Sequence, residues 1–394
     1  MTITRGRNFL MTPGPTNVPD RVLQAMNRPA IELTGADFIA LCRSCIEDLK
    51  PVFGTAADVF IYPANGHGAW EAALVNSISP GERVLVPETG LFSFFWARMA
   101  ETLGIDFEEI AGDWRSGIDA NAVSEILKAD TKHQIKAVLC VHTDTATGVT
   151  SNIPALRAAL DEAKHPALLM VDAVASLAAS PFSMDDWGID VAVGASQKAL
   201  MASPGLSFTA VSAKALEHSR TVTMPRHYWD WRRRLSAQWF DWFCGTAPQH
   251  LMFALRESLD MIAEETMPVV LARHHRLANA VRGAVSVWSE GGVLELNAVH
   301  PAEQADSVST VRVATPHDAG EIIALCRDRF NVSLAGGLGQ LDGHSIRIGH
   351  MGDINEATIL GTLGAMETAF ALLDVPHGSN ALTAAVDSLR RGWS

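Results

Sequence analysis

The sequence predicts an α/β fold: a large domain built on a mainly parallel sheet covered by helices, followed by a smaller C-terminal α+β domain. Three observations lead there. Short valine-rich apolar runs alternate with helical patterns from about residue 20 to residue 215, the signature of a parallel sheet covered on both faces. The texture then changes to two long helical patterns, 248–264 and 268–287, and to short strand patterns mixed with helices. The 394 residues, 48% hydrophobic and 19% charged, can bury a core of this size. On this reading residues 1–19 form an N-terminal arm, 20–268 the large domain and 269–394 the small one.

Residues 9–19 hold Pro13, Pro15 and Pro19, too much proline for a regular element, so an extended arm is expected, of the kind that packs on another subunit or domain. Residues 37–52 have helical periodicity and 57–62 read as a strand. The segment Pro63-Ala-Asn-Gly-His-Gly-Ala-Trp-Glu-Ala-Ala73 then turns straight into a helix. Unpaired backbone N–H groups at such a helix start, together with the helix dipole, favour an anion. Asn65, Gly66 and His67 are therefore assigned to a bound phosphate. The turn is not a Walker loop, because no Gly-Lys-Ser/Thr follows. Residues 83–87 are the next strand, and Gly90-Leu-Phe-Ser-Phe-Phe-Trp96 opens a helix whose Phe92 can lie flat on a ring. Strands at 107–110 and 136–142 follow, the second ending in Thr143-Asp-Thr-Ala-Thr-Gly148, where hydroxyls either bond a ligand or merely cap the turn.

Residues 167–172 form a continuous apolar run ending in Asp172, and residues 189–195 form another that ends in Ser196-Gln-Lys198. Both read as buried parallel strands, and in open α/β sheets the edge outside the carboxyl ends holds the site. A lysine held there, partly desolvated, loses its proton near neutral pH and can attack an aldehyde to form a Schiff base. Lys198 facing Asp172 is the pair that pyridoxal phosphate needs. The lysine takes the aldehyde, and the acid keeps the pyridine nitrogen protonated so that the ring absorbs electrons from a substrate carbanion. A plain salt bridge at the sheet edge is the alternative.

Beyond the sheet, His227-Tyr-Trp-Asp-Trp231, Arg232-Arg-Arg234 and Trp239-Phe-Asp-Trp-Phe243 concentrate aromatic and basic residues. The stretch is short and interleaved with acids, so a subunit interface or active-site wall is expected rather than a nucleic-acid patch. In the small domain, strands are expected at 293–296, 309–314 and 345–349, and helices at 318–330 and 355–373. Alternation in Ile346-Arg-Ile-Gly349 turns Arg347 away from its apolar neighbours. Facing an interdomain cleft, its planar fork can hold a substrate carboxylate bidentately.

Together these stretches resemble the class V, fold type I pyridoxal phosphate aminotransferases, most nearly the alanine–glyoxylate and serine–glyoxylate group. The segments that carry the likeness are Pro13-Gly-Pro-Thr-Asn-Val-Pro19, Gly66-His-Gly-Ala-Trp-Glu-Ala-Ala-Leu74, Val171-Asp-Ala-Val-Ala-Ser176, Gly194-Ala-Ser-Gln-Lys-Ala-Leu200 and Ile346-Arg-Ile-Gly-His-Met-Gly352. The resemblance implies that Lys198 carries the cofactor as a Schiff base and shuttles the substrate proton, while Asp172 holds the ring nitrogen. It puts Phe92 and Val174 on the two ring faces and Thr145 at the phenolic oxygen. Gln197 would join Asn65, Gly66 and His67 at the phosphate, with Thr246 reaching it from the neighbouring subunit. Substrate would meet Arg347, Gly14 and Thr34. There are departures from the group: Asn65 replaces a hydroxyl residue, and Cys244-Gly-Thr-Ala247 replaces a Pro-Tyr-Thr-Pro-like run. Leu33-Thr34 stands where a His-Arg or Tyr-Arg pair is common, so an arginine is missing.

The implied function is transfer of an amino group from serine or alanine to glyoxylate or pyruvate by a homodimer. A pyridoxamine–pyruvate type transaminase and an aspartate–glyoxylate aminotransferase are the alternatives. A cysteine desulfurase would need a reactive cysteine on a loop, and Cys326 falls in a helical pattern. A non-catalytic pyridoxal phosphate-binding regulator normally carries a fused DNA-binding module, for which the early start of the sheet pattern leaves no room. A dinucleotide oxidoreductase would show Gly-x-Gly-x-x-Gly after an early strand. The net charge of −13 without a basic block argues against nucleic acid. The first residues lack a signal-peptide core, and no apolar run approaches the roughly 18 residues of a membrane span, so a cytoplasmic protein is expected. Cys42 and Cys45 have a metal-like spacing but no second pair, and no metal is expected.

Overall fold

The computed structural model describes residues 6–392. Phe9–Leu10 (β1) lies in the arm, followed by the helices Asp20–Met26 (α1) and Ala36–Phe53 (α2). Helix α2 buries Phe38, Cys42, Cys45, Leu49, Val52 and Phe53, an apolar stripe at helical spacing, and ends on Gly54 in the left-handed conformation at φ 61°. Asp58–Tyr62 (β2), Gly66–Ser77 (α3), Arg83–Pro87 (β3), Leu91–Thr102 (α4), Asp106–Ile110 (β4), Ala120–Ala129 (α5) and Ile135–Val141 (β5) then alternate. A tight hairpin, Thr143–Asp144 (β6) with Val149–Thr150 (β7), precedes Ile153–Glu162 (α6), Leu168–Asp172 (β8), Val191–Ala195 (β9) and Ser207–Val211 (β10).

Seven of these strands form one sheet in the order β2-β10-β9-β8-β5-β3-β4. All run parallel except β10, which pairs antiparallel with both β2 and β9. The sequence reading did not foresee this strand. It follows β9 after a loop too short to hold the helical crossover a parallel return needs, so the chain comes back antiparallel. Strands β8 and β9 are buried at every position, as central strands covered on both faces are.

After Ala213–His218 (α7), the aromatic stretch forms two single turns, Trp231–Arg234 (α8) and Trp239–Trp242 (α9). The expectation of an interface or site wall needs correcting for part of it. Trp231 stacks on Phe60 at 6.1 Å and donates from Nε1 to Tyr62 Oη at 2.9 Å. Arg234 is buried and donates to the carbonyls of Ile61 and Trp242. These residues close the core behind β2, because a buried guanidinium is tolerated where carbonyls take its N–H groups.

Gln249–Glu265 (α10) and Met267–Trp288 (α11) lead to Leu294–Leu296 (β11), Val308–Val313 (β12), Ala319–Phe330 (α12), Val332–Ser333 (β13), Ala335–Gly336 (β14), Ser345–Gly349 (β15), Glu356–Leu372 (α13) and Ala381–Arg391 (α14). An antiparallel sheet of order β11-β12-β15-β14 packs Val311, Ile346 and Ile348 against Leu277, Val281 and Leu363 of α11 and α13. Helix α14 was not foreseen, although Ala381, Ala385 and Leu389 bury a face with a four-residue period against α11. The arm packs on this unit within its own chain: β1 pairs with β13, and Met11 is buried in the same core. Its first residues, 1–5, lie outside the described ones. Among the described residues no helix is long and apolar enough to cross a membrane.

Candidate active site

Parallel strands deliver their carboxyl ends to one edge. The turn after β2 therefore meets the starts of α3 and α4, the β6–β7 hairpin, Asp172 closing β8, and Lys198 three residues beyond β9. The arm crosses the same edge. Thr16 donates from its amide to the Gln197 carbonyl at 3.1 Å and from its hydroxyl to the Lys198 carbonyl at 2.8 Å.

Lys198 and Asp172 are both buried, at 9% and 4% exposure. Their hydrogen bonds go to the arm and to backbone rather than to each other. Lys198 Nζ donates to the Pro13 carbonyl at 2.5 Å, and Asp172 Oδ1 accepts the Val174 amide at 2.7 Å. Burial, reinforced by Arg347, lowers the lysine to about 8, while Asp172 and Asp144 pull it the other way. Burial raises Asp172 to about 7, with Asp144 adding to the shift and the Val174 amide opposing it. The Trp70 indole N–H is near enough to favour the charged carboxylate, yet it makes no regular hydrogen bond. Gly14, at φ 129°, lets the backbone approach Lys198 so closely that a Cβ there would collide with Nζ.

Arg347 enters from the other sheet. Ile346 and Ile348 on either side of it are fully buried in the core beneath, so strand alternation sends the arginine the opposite way. Nε donates to the Gly336 carbonyl at 2.6 Å and Nη1 to the Thr145 carbonyl at 3.0 Å. Asp144, beside Thr145, accepts the Phe92 amide at 2.9 Å and is raised to about 6 by burial.

Of the remaining expected residues, Gly66, Phe92 and Gln197 adjoin this centre, through Val174, Asp144 and Thr16 in turn. Gly66 is buried, and a Cβ on it would stand 3.2 Å from Val174, so the start of α3 and the loop after Asp172 are in contact. Asn65 caps α3 without a side-chain hydrogen bond and is exposed, as is His67, whose ring lies 4.5 Å from that of Trp70. Phe92 is half-buried and meets Trp70 edge-on at 6.2 Å. Gln197 is half-buried, with an amide oxygen that has no partner. Thr246 is exposed on the loop before α10, and Thr34 is exposed with its hydroxyl bonded to Glu32 at 2.9 Å. Cys326 is buried in α12, and Cys42 and Cys45 are buried in α2. Among the described residues no cluster of three or more His, Cys, Asp or Glu could hold a metal.

Sequence reasoning passed over Pro13 and Trp70 as working parts, and used Asp144 only, with Thr145, as a pointer to the pyridoxamine–pyruvate type. A backbone carbonyl leaves no trace in a side-chain pattern, and Trp70 reads as plain core on an apolar helix. Asp144 did carry a signal, an acid inside an otherwise uncharged run at a strand's carboxyl end.

Residues 8–340 match the family model described as aminotransferase class V. The serine–glyoxylate aminotransferase of Methylorubrum extorquens is 41% identical over 375 residues, which cover 93% of this chain and 92% of that protein. The L-aspartate–glyoxylate aminotransferase of Paracoccus denitrificans is 39% identical over 371 residues, 94% of this chain and 93% of that protein. The crystal structure of pyridoxamine–pyruvate aminotransferase from Mesorhizobium loti superposes with a TM-score of 0.89 over 99% of each chain at 24% identity, a likeness of fold.

Proposed function

The chain belongs to the class V aminotransferase family, and from that premise we propose that it moves the amino group of a small neutral amino acid, serine or alanine, to a small 2-oxo acid, glyoxylate before pyruvate, with pyridoxal 5'-phosphate as cofactor. The observation that carries this reading is the buried Lys198 and Asp172, unpaired with each other, with the Arg347 guanidinium close enough to act on the lysine. The residues present fit the cofactor. Asp172 is a buried carboxylate with a single backbone bond, suited to a cationic ring N–H. Gln197 Oε1 and Trp70 Nε1 are buried without partners, and the start of α3 has no side-chain cap and so offers its amides to a phosphate. When bound, the cofactor supplies an aldehyde for the amino group and a protonated ring that takes up the electrons left when the Cα proton departs.

The chain's own residues do the rest. Lys198 Nζ, held near 8 by burial, is a base strong enough to take the Cα proton of the donor and acid enough to return it. Asp172 keeps the ring nitrogen protonated. Arg347 binds the carboxylate of donor and acceptor in turn, which suits a two-stage exchange through one site. Gly14 leaves the room that Lys198 needs. Phe92 and Val174 would flank the ring, Thr145 would reach its oxygen, and Asn65, Gly66, His67 and Gln197 would surround the phosphate. The working unit would be a homodimer in which Thr246 reaches the neighbour's phosphate.

Small neutral donors are favoured because Thr34 brings no charge to the position where an arginine is common in the group. An aspartate donor is the second reading, supported by the 39% identical aspartate–glyoxylate relative. Half-reactions of the holoenzyme, followed by loss of the cofactor's visible absorbance, separate the readings. Serine and alanine should convert fast and aspartate slowly. Fast conversion by aspartate alone would reverse the donor assignment, and turnover of free pyridoxamine with pyruvate would move the chain to the pyridoxamine–pyruvate type.

A further inference from the structure

Asp144 is fully buried, and its carboxylate joins three parts of the site. Oδ2 accepts the amide of Phe92, in the first turn of α4, at 2.9 Å, and Oδ1 accepts the amide of Ala146 at 2.8 Å. Gly90, just before α4, lies so close that a Cβ there would overlap the carboxylate. Asp144 thus caps a helix to which it does not belong, from a hairpin at the end of β5. The turn it fixes through Ala146 also carries Thr145, whose carbonyl accepts Arg347 Nη1 at 3.0 Å. A short path therefore runs from α4, through Asp144 and Thr145, to the arginine on the four-stranded sheet.

A neutral Asn or Ser would cap a helix equally well, and a buried charge costs free energy unless something answers it. The groups that answer or oppose it are Arg347 from β15, Lys198 from the loop after β9 and Asp172 from β8, while α4 offers only backbone N–H. We propose that Asp144 is a positioning residue of the transamination site, holding Phe92, Thr145 and Arg347 in one register and offsetting the charge of Arg347 at Lys198. This rests on the function proposed above.

Two variants of the holoenzyme test it. Asp144→Asn keeps the shape and an acceptor oxygen but removes the charge, whereas Asp144→Ala removes both. A negative charge at Asp144 favours the protonated nitrogen of the lysine–cofactor linkage, so D144N should move the pH midpoint of the visible absorbance downward by on the order of one unit. Its cofactor circular dichroism should persist. In D144A the same shift should come with loss of roughly half or more of that dichroism and a higher KM for both donor and acceptor. A purely structural Asp144 would lower the melting temperature and leave the midpoint in place, and that result overturns the proposal. If D144A does not fold, D144N decides alone, because the midpoint is its readout. Wild-type protein with no visible band would overturn the functional reading, and this assignment with it, before any variant is made.

Discussion

Arg347 on β15 donates from Nη1 to the carbonyl of Thr145, 3.0 Å away on the hairpin after β5, and this bond ties the small sheet to the carboxyl edge of the large one. With Nε held by Gly336, the guanidinium is fixed in orientation before any substrate arrives, and the rest of its fork is available to a carboxylate. Burial lowers it to about 10, which still leaves it charged at neutral pH.

Arg347→Ala should therefore weaken binding of donor and acceptor alike by about 2–5 kcal/mol, the range for breaking a desolvated charge pair. Arg347→Lys should recover only part of this, since an ammonium lacks the planar fork. Steady-state kinetics with each substrate varied in turn checks both statements. A loss confined to one substrate would mean that the carboxylates bind at different places.

Gly14→Ala places a methyl group where Lys198 Nζ stands and asks alanine to adopt φ 129°. The backbone strain alone is worth about 1–3 kcal/mol. The displaced amine should cut covalent cofactor incorporation, read from visible absorbance per chain. Full incorporation would show that the arm can move aside.

Asp172→Asn should lower turnover by several orders of magnitude while sparing much of the cofactor affinity, because the phosphate contacts remain. The apoprotein should respond in the opposite sense. The folded protein holds the Asp172 proton up to about pH 7, whereas an unfolded chain releases it near 3.8. Folding stability attributable to this group is thus greatest at low pH and falls as pH rises between those values, by about 4 kcal/mol. Apo Asp172→Asn should then be more stable than wild type at pH 8 and no more stable at pH 4, as chemical denaturation at the two pH values would reveal. Equal stability at both would mean that the carboxylate is solvated.

If Thr246 completes the neighbour's site, then mixing inactive Lys198→Ala and Thr246→Ala chains should restore activity. Mixed dimers would hold one site with both residues intact. No recovery under conditions where subunits exchange would place Thr246 outside the shared site.

Most of this arrangement was legible because parallel strands concentrate function at their carboxyl ends, so a strand pattern ending in Asp172, or just before Lys198, already places the side chain. Strand period placed Arg347 in the same way, since its isoleucine neighbours had to face the core. Less legible was what depends on backbone meeting backbone from distant segments. The Pro13 carbonyl under Lys198, the Asp144 cap on α4 and the antiparallel return of β10 are set by tertiary contact, and local pattern carries no record of it. The aromatic stretch misled for a related reason. Trp231 and Arg234 look like surface recognition groups until Tyr62 and the carbonyls of Ile61 and Trp242 are seen to absorb their polar atoms.

Every role proposed for this site depends on Lys198 holding the cofactor. Borohydride reduction of the holoenzyme followed by peptide mapping tests it most directly. One reduced pyridoxyl group per chain is expected, on the peptide containing Lys198, and none in Lys198→Ala protein treated identically. A reduced cofactor on any other lysine of the wild-type chain would contradict it.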